Sequence, residues 1–157
     1  MDGVTRLASE SWEALFRAQA TLAREFEYAV DWGGLPPREY GVLYALASAG
    51  EDGLRITDLI DDVLLTQAGV SRLVARLDKR GLIERTSDPS DARACRIVLT
   101  GQGRDLQRHL GRELAARITT AMTRALSPAQ MEALRDLSQA LIHAAASAQN
   151  ATQEEMT

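Results

Sequence analysis

A chain of 157 residues, 45% hydrophobic and 25% charged, has room for one compact domain with an added assembly element and is too apolar to stay disordered. Its formal net charge of -4 excludes a surface that binds nucleic acid throughout, because neutralising phosphates takes clustered Lys and Arg. No apolar run approaches the roughly 20 residues that cross a bilayer, the start Met1-Asp2-Gly3 lacks the pattern of a leader, and Cys95 with His109 and His143 allows neither an intrachain disulfide nor a structural zinc site.

From about Thr5 to Asp31, Leu15, Phe16, Leu22, Phe26 and Val30 recur at helical spacing until Gly33-Gly34, which predicts a long amphipathic helix. Leu35-Pro36-Pro37 sets an extended approach to a second helix, where Tyr40, Leu43, Tyr44 and Ala47 repeat up to Gly50 with Pro37 in the first turn. After the turn Glu51-Asp52-Gly53, Leu54-Arg55-Ile56 reads as a short extended piece and Thr57 as the N-cap of a short helix carrying Leu59, Ile60 and Val63. Leu64-Leu65 closes that helix into a turn. Thr66 caps the next one, whose Val70, Leu73, Val74 and Leu77 form an i, i+3, i+4, i+7 stripe ending at Gly81 behind Lys79-Arg80.

Leu82-Ile83-Glu84-Arg85 and Ala94-Cys95-Arg96-Ile97-Val98-Leu99 predict two strands around a polar loop from Thr86 to Arg93, with Asp88-Pro89-Ser90-Asp91 as its turn signal. Cys95 shares strand parity with Ile97 and Leu99, so its thiol is expected to face the core as an inert hydrophobe. Thr100 opens a long helix with Leu106, Leu110, Leu114, Ile118, Met122 and Leu126 four apart. Ser127-Pro128-Ala129-Gln130 is a capping box with Pro at N1 for a last helix carrying Met131, Leu134, Leu137 and Leu141. The small, polar sequence after Ser147 is expected to fray.

Short helix, turn, capped helix and hairpin make a helix-turn-helix followed by a wing, in a fold that is mainly α with a small β-hairpin. The apolar stripe anchors the capped helix and turns Ala68, Arg72, Ala75 and Lys79 outward, flanked by Ser71 and Arg76. Small groups let a helix approach base edges, arginine can grip guanine with two hydrogen bonds, and Thr66 and Gln67 at the start of the helix can reach adenine or phosphate. Arg93 in the hairpin loop can enter a minor groove with Asp91 orienting it. Between Thr66 and Arg96, seven Lys and Arg stand against four Asp and Glu, so the acid excess lies elsewhere.

The run Ile56-Thr57-Asp58-Leu59, then Leu65 to Arg85, then Asp88-Pro89-Ser90-Asp91-Ala92-Arg93, then Val98-Leu99-Thr100-Gly101-Gln102-Gly103 resembles the signature of the MarR family of bacterial regulators. The likeness is densest over 54–104 and extends to the number and order of the flanking helices. It implies a dimerisation helix at 1–34, a winged DNA-binding domain at 35–100 and dimerisation helices at 101–146, while the polar composition of 147–157 predicts that these residues form a disordered tail. It also implies a homodimer that binds a palindromic operator in double-stranded DNA, with Thr66 to Arg80 as recognition helix and Arg93, oriented by Asp91, as wing arginine. Asp61-Asp62 departs from the basic or neutral residues of many relatives.

Family members commonly bind small aromatic or phenolic anions beside the dimerisation helices, or oxidise a cysteine on the first helix, where this chain has none. Trp12, Phe16, Arg17 and Tyr40 are the residues suited to such an effector, since aromatics can stack a ring and an arginine can pair a carboxylate; aromatics at helical spacing also serve as core. No phosphate loop, metal cluster or nucleophile elbow suggests an enzyme or a cofactor. A cytoplasmic regulator without a membrane segment is expected, against the alternative of a winged-helix module used for protein contacts alone.

Overall fold

The computed structural model describes residues 2–63 and 66–155, and all side chains among these except 61–63, 92–93 and 149–155. The turn expected at Leu64-Leu65 and the side chains of Asp61, Asp62 and Arg93 therefore lie outside the described residues. The order is α1 (Gly3–Ala29), α2 (Pro37–Ala49), a 3-10 turn (Gly50–Asp52), α3 (Ile56–Val63), α4 (Gln67–Lys79), β1 (Ile83–Asp88), β2 (Asp91–Leu99), α5 (Gly101–Ala125) and α6 (Pro128–Glu155). The fold is mainly helical with one two-stranded antiparallel hairpin. Two compact units are separated, Met1–Arg117 and Ile118–Thr157, with the division inside α5. No described helix is long and apolar enough to cross a membrane.

In the first unit the core is built where the apolar periods converge. Val42, Leu43 and Leu46 of α2, Leu59 of α3, and Val70, Val74 and Leu77 of α4 are buried together with Ile83, Ile97, Leu99 and Leu110. Local chemistry then fixes the ends of α4. The Thr66 backbone is extended and its Oγ1 accepts from the Gly69 amide at 3.2 Å, satisfying a donor that the first helical turn cannot. At the other end Gly81 takes φ +68°, its amide donates to the Asp78 carbonyl at 2.8 Å, and the Leu82 amide reaches the Leu77 carbonyl at 3.0 Å. This is a Schellman closure, with Leu77 and Leu82 both buried as its apolar contact.

The hairpin is longer than the sequence pattern suggests. Residues 86–88 and 91–93 are strand rather than loop, pairing runs from Ile83 opposite Leu99 to Asp88 opposite Asp91 with an irregularity between Ser87 and Asp88, and only Pro89 and Ser90 make the turn. The extension costs little because Asp88 supplies the turn with its own hydrogen bonds. Its base is tied to the domain by a bridge in which the Leu54 and Ile97 amides and carbonyls bond at 3.0 and 2.8 Å. Cys95 corrects the expectation of a buried thiol: it is exposed, with Arg85 Nη1 donating to its Sγ at 3.9 Å. Cys95 lies two residues before Ile97, nearer the hairpin turn, where β2 has not yet reached the buried cluster that holds Ile97 and Leu99.

Two further boundaries differ from expectation. Arg55, not Thr57, stands at the N-cap of α3, where its amide donates to Asp58 Oδ2 at 3.0 Å and its carbonyl accepts from Leu59; the acid at the third helical position replaces the hydroxyl as capping group. Helix α6 continues past Ser147 to Glu155, since Ala, Gln and Glu favour helix and neither Gly nor Pro interrupts them. Its start is the expected capping box: the Ser127 amide donates to Gln130 Oε1 at 2.9 Å and the Gln130 amide to Ser127 Oγ at 3.4 Å.

Candidate nucleic-acid interface

Burying Val70, Leu73, Val74 and Leu77 leaves α4 with one outward face, and Thr66, Gln67, Ala68, Ser71, Arg72, Ala75, Arg76 and Lys79 are all exposed on it. The basic groups are not equivalent. Arg72 meets only its own helix, its Nε donating to the Ala68 carbonyl at 3.2 Å. Arg76 Nε donates to Glu39 Oε1 at 2.6 Å, and Arg80 Nη1 lies 3.6 Å from Glu39 Oε2 while donating to the Gly34 carbonyl at 3.1 Å. Glu39 is buried in the first turn of α2. A buried carboxylate needs such partners, so Arg76 and Arg80 brace α4 against α2, and Arg76 keeps only part of its guanidinium for any ligand.

The wing is organised by a residue that the sequence pattern marked only as a turn former. Asp88 is 3% exposed. Its Oδ2 accepts from Arg55 Nε at 2.7 Å and Arg96 Nε at 3.0 Å, and its Oδ1 from the Ser90 amide at 2.8 Å and hydroxyl at 2.6 Å. The hydrogen bond from Arg55, then those from Ser90 and Arg96, hold its carboxyl well below the usual carboxylate range. In return Asp88 raises the Arg55 pKa. One carboxylate thus joins the start of α3, the hairpin turn and the middle of β2. Asp91 is exposed at the first residue of β2, and Arg93 lies in the same strand.

Sequence could have flagged Asp88 through Asp-Pro-Ser, which favours a side chain that accepts from the backbone two residues on. It could not supply Arg55, 33 positions away. Glu39 carried no comparable signal, since an acid in a first helical turn is ordinarily a solvated one.

The residues suited to an effector fall in two environments. Trp12, at 68% exposure, Phe16, at 59%, and Arg17 stand on α1, where Arg17 Nη2 pairs with Glu13 at 2.7 Å. Tyr40 belongs to the core at 8% exposure, with ring centroids 5.6 Å from Trp32 and 6.3 Å from Tyr44. Burial raises its pKa and a hydrogen bond to Gln107 opposes this. Among the described residues no hydrogen bond, ion pair or ring contact joins Tyr40 to the other three.

A shallow groove runs between the start of α2 and the first half of α4, lined by Pro36, Arg38, Thr66, Gly69, Arg72, Leu73 and Arg76. It shares Thr66, Arg72 and Arg76 with the exposed residues of α4 and its cap.

Known proteins share this arrangement. The model of the MarR family matches residues 33–94. The HTH-type transcriptional regulator FarR of Neisseria gonorrhoeae is 25% identical over 123 residues, which are 78% of this chain and 82% of that protein. A MarR family regulator of Streptomyces coelicolor, solved in complex with DNA, superposes with a TM-score of 0.70 at 27% identity, covering 84% of this chain and 86% of that one. BpsR of Bordetella bronchiseptica, whose DNA binding is regulated by 6-hydroxynicotinic acid, superposes with a TM-score of 0.73 at 26% identity, covering 84% and 98%.

Proposed function

The chain belongs to the MarR family of DNA-binding transcription regulators, and from that premise we propose that it is a cytoplasmic, non-enzymatic repressor that binds a palindromic operator as a homodimer. The observation that carries this reading is α4. Its apolar stripe is buried, its outward face is small or basic, and both ends are capped, so a rigid helix presents Gln67, Ala68, Ser71 and Arg72 where a major groove can receive them. Thr66, Arg76 and Lys79 flank that face. Arg93 reaches the adjacent minor groove with Asp91 as its orienting partner.

Homodimerisation is supported by each unit taken separately. Helix α1 buries none of its residues while carrying Val4, Leu7, Trp12, Leu15 and Phe16, and α6 exposes Leu134, Leu137, Leu141 and Ile142. Exposed apolar stripes of this extent call for a partner surface. A two-fold dimer sets its recognition helices about 34 Å apart, one turn of duplex, which makes the operator an inverted repeat. A small aromatic or phenolic acid, held with the help of Trp12, Phe16, Arg17 or Tyr40, releases the DNA.

The test is a mobility shift with the duplex upstream of the protein's own gene. Arg72→Ala and Arg93→Ala are each expected to weaken binding by about 1–3 kcal/mol, roughly five- to 150-fold, with the dimer intact. Wild-type affinity in both variants would refute these contacts. A protein that ignores the fragment altogether would favour a module for protein contacts.

A further inference from the structure

The groove beside α4 holds more positive charge than the protein itself neutralises. Of its three arginines, Arg76 is engaged by Glu39, but Arg38, the second residue of α2, is exposed and pairs with no acid among the described residues. Arg72 likewise meets only a carbonyl of its own helix, through Nε, which leaves its terminal nitrogens free to donate. The Thr66 hydroxyl accepts from the Gly69 amide and keeps a proton to give. Pro36 and Gly69 offer no bulky side chain that would fill the groove. Two uncompensated guanidiniums and a hydroxyl around one concavity are the chemistry of an anion with several acceptor oxygens. A helix seated in a major groove has a phosphate strand along each flank, and this concavity lies along one flank of α4.

We propose that the groove seats a phosphate of the DNA backbone, with Arg38 as its principal cation, a contact supplied from outside the helix-turn-helix. The inference rests on α4 being the helix that faces DNA. Such a contact positions the protein and carries no sequence information. It therefore predicts a change in salt dependence, not in base preference.

The experiment compares wild type, Arg38→Gln and Arg38→Lys by fluorescence anisotropy on two duplexes, the fragment upstream of the protein's own gene and a scrambled duplex of equal length, across a salt series. Arg38→Gln should reduce the slope of log K against log salt by about 0.9 for each protomer bound, by the same amount on both duplexes, and Arg38→Lys should restore the slope. An unchanged slope in Arg38→Gln overturns the proposal, as does a loss confined to the upstream fragment, which would make Arg38 a base reader. If the wild type does not prefer the upstream fragment, sequence-specific recognition by α4 fails, while the slope on the scrambled duplex still decides the phosphate seat.

Discussion

A carboxylate that accepts four hydrogen bonds, two of them from guanidinium groups, resists protonation, and Asp88 is in that position. Because its folded pKa is depressed, its contribution to stability is complete above the unfolded value of about 3.9 and is lost as pH falls from there toward the folded value. Asp88→Asn should therefore lower the urea midpoint at pH 7. The gap between variant and wild type should hold to about pH 5 and narrow below pH 4, measured by urea unfolding across pH; a gap of equal size at pH 3 and pH 6 would show that the charge is irrelevant. The variant should also weaken DNA binding, because the same carboxylate fixes the strand that carries Arg93. At this scale sequence reading succeeds where a residue acts on its neighbours, as Thr66 on Gly69 or Ser127 on Gln130. It misses Asp88 and Glu39, whose partners arrive from other elements, and it misjudges Cys95, since alternation along a strand says which face a residue takes but not where the core beneath it ends.

Elements were legible in proportion to how local their causes are. The stripe and both caps of α4 follow from spacing and from Thr66 and Gly81, whereas the extra hairpin length depends on Asp88 meeting Arg55 and Arg96 and so left no periodic trace. Helix α5 offers a case where local propensity and packing point in opposite directions. Gly103 sits in its first turn, and propensity alone gives Ala an advantage of about 1 kcal/mol there. The backbone of Leu82 passes so close that a Cβ at 103 would overlap its carbonyl oxygen and carbonyl carbon. That carbonyl also accepts from the Thr100 amide at 3.1 Å, while Thr100 Oγ1 donates to the Gly81 carbonyl at 2.7 Å and accepts from the Gly103 amide at 3.0 Å. The junction between hairpin and helix cannot move aside without losing these bonds. Gly103→Ala should accordingly cost about 1–3 kcal/mol, as overpacking does, and lower the melting temperature by about 2–12 °C in a circular dichroism melt. A variant as stable as wild type would mean that the helix start can shift at no cost.

The whole molecule poses a problem of surface. Leu134, Leu137 and Leu141 recur at helical spacing on α6, with Leu137 67% exposed, and burying a leucine fully contributes roughly 2 kcal/mol. A stripe of this kind on a water-facing helix is a standing drive toward association, and the proposed dimer satisfies it. Charge on that stripe should then act on assembly before it acts on folding, because these residues are exposed within their own unit. Leu137→Glu with Leu141→Glu should shift sedimentation from dimer to monomer while leaving the helical circular dichroism intact. Operator binding should fall by about a hundredfold or more, since a monomer engages one half-site and loses the effective concentration that links the two. The residual affinity should match that of wild type for a duplex carrying a single half-site. That equality separates assembly from damage to the reading head, for a monomer that binds even the half-site poorly would place the fault in α4. A double variant that remained dimeric with full operator affinity would locate the interface elsewhere, with α1 and its exposed Trp12 and Phe16 as the remaining surface.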